Sequence, residues 1–418
     1  MKVPRCRGTR DLLPQDMEKF RRIDKGFREC CLGWGYREIK TPVLEYLHLF
    51  TSAGTLSPDM LGRVYSFLDW DGWSGERVVL RPDGTIPAAR LYAENLQSLA
   101  VARLCYVENM FAFEGTGRES RERWQCGAEL IGGHKPEGDV ELISLALEAL
   151  LKFGLKSVEL RLAHAGLLKA FLQGLGLRGE EEADMLDRIF SGDADVIEEV
   201  KGGNPELEKQ LRLLFGLKGD SLGFVENLRN LFTVSNPALE SSLSELARIA
   251  DLLTNIGCSY QIDFTSGKGF EYYTGIIFGF YSSGRRLGGG GRYDELIPLV
   301  GGKDICASGF ALYVDEIMDL LGKPSEREKV LVKAKDAEGL KDSFEMARLL
   351  REEGFIAEFD LGQKKTAGFR WIVDMRSGKG IELIERSSGK KQRKSSPAEV
   401  LAVMRRRVSE SQRRKRSK

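Results

Sequence analysis

Four short stretches hold side chains that could do chemistry. In LRPDGT, residues 80–85, a carboxylate (Asp83) and a hydroxyl (Thr85) stand two residues apart at the end of an extended run, so both face one side. Such a pair can receive an ammonium group. The same six residues also read as a strand closed by an Asp-Gly turn. In ERWQCGAELIGG, Gln125 and Glu129 lie four residues apart and share one face of a strand, with Trp124, Cys126 and Ala128 on the other. Polar side chains on such a face must meet water or line a pocket. FEYYTG adds adjacent phenols, Tyr272 and Tyr273, expected on opposite faces. They read either as one ligand-binding hydroxyl or as a packed aromatic pair. The run Gly288, Gly289, Gly290 and Gly291 in GGGGRYDELI matches neither GxGxxG nor the GxxxxGK loop that ends in Ser or Thr. Four glycines suit instead a close backbone approach to a ligand or a neighbouring strand.

The elements that must position these residues follow from periodicity. Apolar residues recur at helical spacing from Met17 to Cys31 and stop at Gly33 and Gly35. TPVLEY is an extended run whose Pro42 suits an edge or a bulge. Strand patterns then come in pairs: GRVYSFLDWDG with RVVLRPDGT, and VARLCYVENMFAFEG with RERWQCGAELIGG. That rhythm predicts an antiparallel sheet flanked by helices. GDVELISLALEALLKFG predicts a helix and SVELRLAHAG another strand. Over residues 165–257 leucine-rich helical stretches alternate with Gly and Asn breaks and strand patterns vanish, which predicts a helical insertion. Strands resume with SYQIDFT and FEYYTGIIFGFY, and SGFALYVDEIMDLLG reads as helix. After KPSEREK, residues 328–404 alternate strands and helices in the manner of a small α/β domain.

The 418 residues suit one large domain plus a smaller one. No apolar run approaches the ~18 residues of a membrane span, and MKVPRCRGTRDLLP lacks the apolar core of a signal peptide, so a cytoplasmic location is expected. Seven cysteines, an odd number without a CxxC pair, indicate neither a disulfide framework nor a zinc site. Three scattered histidines, His48, His134 and His164, argue against a metal centre. The formal charge of +1 hides an asymmetry: residues 405–418 carry a net +7, which leaves the body at −6. A mildly acidic body is not that of a nucleic-acid-binding domain, and the basic tail is expected to be a solvated, disordered end.

In order along the chain, GTRDLLP, TPVLEY, LRPDGT, ERWQCGAELIG, FEYYTGIIF, GGGGRYDELI and SGFALYVDEIM resemble the catalytic core of histidyl-tRNA synthetase, over about residues 8–322. The final unit is similar to that family's anticodon-binding domain but shorter. The resemblance implies an α+β fold: a class II aminoacyl-tRNA synthetase-like antiparallel sheet core with flanking helices in residues 1–322, the insertion at 165–257, and a degenerate anticodon-binding-like α/β domain at 328–404. It also implies that Asp83, Thr85, Gln125, Glu129 and Tyr273, with Tyr272 beside it, stand at histidine-binding positions. Asp83 replaces the family's Glu.

The nucleotide side departs from the pattern. Where the family writes FR-x-E, this chain has FAFE with Ala112; where it writes GLER, YVDE ends in Glu316; and KGFEYY puts Lys268 in place of a catalytic Arg. Each lost donor to transition-state charge costs ~3–4 kcal/mol. Two such losses and a repulsive carboxylate beside the phosphates would slow adenylate formation by roughly 10⁴-fold or more. With the histidine groups retained, and with ELIGG and YYTGIIFGFY including Thr274, the chain resembles the ATP phosphoribosyltransferase regulatory-subunit family. That resemblance implies a non-catalytic partner of the short-form catalytic subunit in a hetero-octamer. It further implies self-association as a dimer through the GTRDLLP region, L-histidine as effector, and no cofactor or metal. Two alternatives stay open: an active synthetase that uses Lys268 with Arg118 or Arg121, and an RNA-binding accessory protein that uses the C-terminal unit and tail.

Overall fold

The computed structural model describes residues 3–416 apart from 53–61, 63, 71–74, 113–120, 192–195, 201–203, 234–235, 267–271, 323–327, 335–339, 363–367 and 376–379. The chain divides into two compact units, Met1–Lys323 and Pro324–Lys418.

In the first unit, α1 (Pro14–Gly33) begins on a proline, tolerated where the helix's first N–H groups lack partners anyway, and buries Phe20, Ile23, Phe27, Cys30 and Cys31. Two short strands, β1 (Arg37–Glu38) and β2 (Leu44–Tyr46), and α2 (Leu47–Ser52) lead to the hairpin of β3 (Ser66–Trp70) and β4 (Gly75–Leu80). The chain does not close into a second hairpin after β4. Asp83 Oδ1 accepts the N–H of Ile86 at 3.1 Å, and α3 (Thr85–Asn95) starts there. Asp83 and Thr85 therefore sit at a helix start and not on a strand end, because a carboxylate that satisfies an orphan N–H favours the helical turn.

β5 (Ala102–Phe111) and β6 (Glu122–Ile131) pair in register over ten residues. They precede α4 (Glu137–Phe153) and β7 (Glu159–His164). The predicted insertion holds α5 (Ala165–Gly174), α6 (Glu180–Ser191), α7 (Val196–Glu199), α8 (Pro205–Gly216), α9 (Leu222–Phe232) and α10 (Glu240–Asn255). One short strand, β8 (Lys218–Gly219), interrupts the helices there, contrary to expectation; it pairs with β9 (Gln261–Asp263), and Lys218 reaches Asp263 at 2.8 Å. β10 (Ile276–Ser282), β11 (Arg285–Arg292), α11 (Leu296–Leu299), β12 (Ala307–Tyr313) and α12 (Val314–Leu320) complete the unit. The first half of SGFALYVDEIMDLLG is thus strand and not helix.

Nine strands form one sheet in the order β1-β5-β6-β12-β11-β10-β7-β9-β8, antiparallel apart from the β1–β5 and β7–β9 pairs. A separate sheet of order β2-β4-β3 stands beside it. The large sheet has two unlike faces. On one, Trp124 meets Phe20 at 4.9 Å between ring centroids and Phe310 meets Phe27 at 6.3 Å, so α1 seals that side. Each large side chain buried there contributes about 1.5–3 kcal/mol. Cys30, Cys31, Cys105 and Cys126 are buried in this layer as thiols.

The second unit packs α13 (Leu340–Glu352) and α14 (Pro397–Arg416) with a sheet of order β14-β13-β15-β16-β17. Its strands are β13 (Lys329–Lys333), β14 (Ile356–Phe359), β15 (Trp371–Asp374), β16 (Ile381–Glu385) and β17 (Lys390–Lys394). The basic segment from Arg405 was expected as a disordered end but continues α14 to Arg416. It contains no Gly or Pro and is dominated by Arg, a good helix former.

Candidate functional site

The second face of the large sheet is nearly bare. Register places Glu129 of β6 opposite Gly309 of β12, Gly309 opposite Gly291 of β11, and Gly291 opposite Ile277 of β10; one step along, Gly127, Ala311, Gly289 and Gly279 make a parallel row. Directly paired residues share a face. The bare floor is occupied by side chains laid across it. A Cβ on Gly127 would meet the Tyr106 ring at 2.1 Å, one on Gly291 the Tyr273 ring at 2.8 Å, and one on Gly309 the Glu129 carboxylate at 1.7 Å. The glycines around positions 288–291 therefore allow the close approach of a neighbouring strand foreseen for them, and they also leave room for overlying side chains of the protein itself.

Glu129 is the centre of the arrangement. Its carboxylate accepts from Thr85 Oγ1 at 2.8 Å, from the Tyr106 hydroxyl at 3.1 Å and from the Tyr293 hydroxyl. Burial pushes its pKa up to about 8 against the pull of these three donors, and the nearby Asp83 raises it further. Asp83 is itself pushed up to about 6 by burial, opposed by the N–H groups of Ile86, Thr85 and Gly84. Two adjacent buried carboxyls with raised pKa values make a site that gains by taking in a cation. Gln125 points from the same face of β6, and its Oε1 is buried without a hydrogen-bond partner. The phenols of Tyr272 and Tyr273 are held protonated by burial, the first by Asp83 and the second by Tyr313 in addition.

All six sequence-predicted residues, Asp83, Thr85, Gln125, Glu129, Tyr272 and Tyr273, are buried on this side. Tyr272 and Tyr273 do not diverge to opposite faces as expected. They lie outside any strand, in T-shaped contact at 5.1 Å, and both feel Asp83 and Glu129. Sequence reasoning missed Tyr106 and Tyr293. Tyr106 faces Gly127 across the β5–β6 pair, so aligning that hairpin and looking for what fills the space of a strand glycine would have found it.

On the nucleotide side, Ala112 follows β5 and donates its N–H to the Arg121 carbonyl at 3.0 Å. Glu316 lies on α12, 3.8 Å from Arg285. Lys268 and Arg118 fall outside the described residues. Among the described residues no cluster of His, Cys, Asp and Glu could hold a metal ion, and no helix is long and apolar enough to cross a membrane.

An antiparallel sheet with one helix-covered face, and one glycine-floored face bearing buried carboxyls and phenols, defines a class II synthetase-type domain. The sequence signature of histidyl-tRNA synthetase matches residues 8–317. An ATP phosphoribosyltransferase regulatory subunit of Dehalococcoides mccartyi is 47% identical over 96% of this chain and 98% of its own length. A histidine–tRNA ligase of Pyrococcus horikoshii is 34% identical over 87% of this chain and 86% of its own. The crystal structure of an ATP phosphoribosyltransferase regulatory subunit/histidyl-tRNA synthetase from Bacillus halodurans superposes with a TM-score of 0.75 at 25% identity, covering 90% of this chain and 98% of that one. The chain belongs to the ATP phosphoribosyltransferase regulatory-subunit family, the synthetase-like branch of the histidyl-tRNA synthetase fold.

Proposed function

We propose that this protein is the histidine-sensing, non-catalytic subunit of an ATP phosphoribosyltransferase: it activates a short-form catalytic subunit and relays inhibition by L-histidine. The observation that carries the reading is the buried Glu129–Asp83 pair, with the unpartnered Gln125 Oε1 four residues along the same face of β6. An ammonium suits the carboxyls, and an imidazole N–H suits the amide oxygen. Ala112, Glu316 and Lys268 stand where the synthetase pattern has arginines, which favours binding without activation of the amino acid. Regulation then needs a coupling free energy of about 1–3 kcal/mol between this site and the partner's active site. The test is reconstitution with the short-form catalytic subunit of the same organism. Phosphoribosyl-ATP formation should rise on adding this chain and fall again on adding histidine; no rise and no co-elution would reject the reading. Histidine-dependent pyrophosphate exchange by the chain alone would show an active synthetase instead.

Self-association as a dimer, within a hetero-octamer, belongs to the same proposal. The β2-β4-β3 sheet exposes Leu44, Tyr46, Phe67, Leu68 and Trp70, the last 73% accessible, and Leu13 in the GTRDLLP segment is exposed too. Apolar residues concentrated in this way suit an interface between copies. Sedimentation should give a dimer for the chain alone, and a Phe67→Asp/Trp70→Glu variant should run as monomer. A wild-type monomer at micromolar concentration would remove this part of the proposal.

A further inference from the structure

Along β12 only Ala311 and Tyr313 are partly accessible, and the other residues of the strand are buried. Ala311 pairs with Gly127 of β6 on one side and with Gly289 of β11 on the other, so the surface it shows is its methyl group on the glycine floor. Solvent therefore reaches the floor at its centre. The groups around that opening differ from corner to corner. Two residues back along β12, the Glu129 carboxylate lies over Gly309. On the β6 side, Gln125 stands opposite Tyr313 and carries its unpartnered Oε1. On the β11 side there is a cation: Nη2 of Arg286 lies 2.7 Å from where a Cβ on Gly289 would be. Burial raises the pKa values of the Tyr273 and Tyr281 phenols, and the Arg286 charge opposes it in both. Those two rings overlie Gly291 and Gly279, so the half-buried guanidinium belongs to the same layer of side chains.

The spacing of the two charged corners specifies what fits between them. Gly309 and Gly289 are diagonal neighbours on paired antiparallel strands, about 7–8 Å apart. An ammonium held at Glu129 and a carboxylate held at Arg286, each by charged hydrogen bonds of about 2.8 Å, leave room for one N–Cα–C unit, two bonds of about 1.5 Å. The side chain on that Cα then has Gln125 as its polar neighbour. A guanidinium also matches a carboxylate in shape, since its planar fork donates to both oxygens. We propose that Arg286 receives the α-carboxylate of the bound histidine, an assignment that rests on the histidine reading of the site, and that it selects the free amino acid over the corresponding amino alcohol.

The test is calorimetry on the full chain with L-histidine and L-histidinol. Histidinol keeps the ammonium and the imidazole and carries a hydroxymethyl group in place of the carboxylate. Wild type should bind histidine at least about tenfold more tightly than histidinol. Arg286→Gln should weaken histidine by about tenfold or more and leave histidinol within about twofold, so that the two ligands converge. Arg286→Lys keeps the charge, loses the fork and should fall between. Equal binding of the two ligands by wild type, an undiminished preference in Arg286→Gln, or a loss shared equally by both ligands would overturn the assignment and leave histidine at the Glu129 site. Binding of neither ligand by wild type would overturn the histidine reading and the assignment with it.

Discussion

Replacing Arg81 by methionine should destabilise the first unit by about 3–5 kcal/mol, a large part of the ~5–15 kcal/mol that holds a typical domain together. Arg81 is 2% exposed and its Nη1 sits 2.6 Å from Oε2 of Glu108, which is 4% exposed. The same guanidinium donates to the Thr41 carbonyl and hydroxyl at 2.9 Å, to the Asn109 carbonyl at 2.9 Å and to Asn109 Oδ1 at 3.1 Å. Glu108 in turn accepts from the Thr41 N–H at 2.8 Å and its hydroxyl at 2.9 Å. One arginine therefore ties the end of β4, the segment before β2 and the second half of β5. Methionine matches its stem but leaves a buried carboxylate without its cation and several acceptors without a donor. The double variant Arg81→Met/Glu108→Leu should recover part of the loss, since removing both charges also removes their desolvation cost. Urea denaturation checks both, and a single-variant loss below about 1 kcal/mol would show that the network does not hold these segments.

What the sequence disclosed and concealed follows from how each face of the sheet is built. β5 and β6 were legible because the polar Gln125 and Glu129 alternate with Trp124, Cys126 and Ala128, a period-two pattern with real contrast. β12 was hidden because its two faces are Phe310 and Leu312 against Gly309 and Ala311, all apolar in composition, so the alternation shows only in size. The helix α3 was hidden by Pro82, Gly84 and Pro87, residues that punctuate most chains but here surround an Asp83 cap. β17, KKQRK, has no apolar face because it is an exposed edge strand paired only with β16. Around Glu129, Tyr106 and Tyr293 were concealed for a different reason. A tyrosine is read as core until the register puts a glycine beneath its ring, and register is a property of the pairing and not of either strand alone.

The bare floor explains why the carboxyl of Glu129 has a single place to go, and it makes Gly309 a second handle on the same site. A methyl at Gly309 would occupy the position of Oε2, so Gly309→Ala should displace the carboxylate from Thr85 and Tyr293 and weaken histidine binding without touching the ligand. An unaltered affinity in that variant would place the ligand elsewhere.

Histidine binding should release about one proton at pH 7.5, and Glu129→Gln should abolish most of that release while weakening affinity by roughly 10- to 100-fold. The sign follows from the raised pKa. Glu129, at about 8 when folded against the ordinary carboxylate value of 4.5, favours the folded state fully below that ordinary value, and this contribution is lost as pH rises through 8. At pH 7.5 the group is thus mostly protonated in the free protein. Asp83, at about 6, is mostly ionised at the same pH, so the pair carries roughly one negative charge. An ammonium brought beside them lowers the pKa of Glu129 and expels its proton, whereas the ligand's own imidazole is already neutral at this pH and contributes little. Affinity should accordingly rise from pH 6 to 8 and level off above the folded pKa. Calorimetry in two buffers of different ionisation enthalpy reads the released proton directly. Equal proton release in wild type and Glu129→Gln would mean that another group titrates on binding, and that the buried pair does not receive the ammonium.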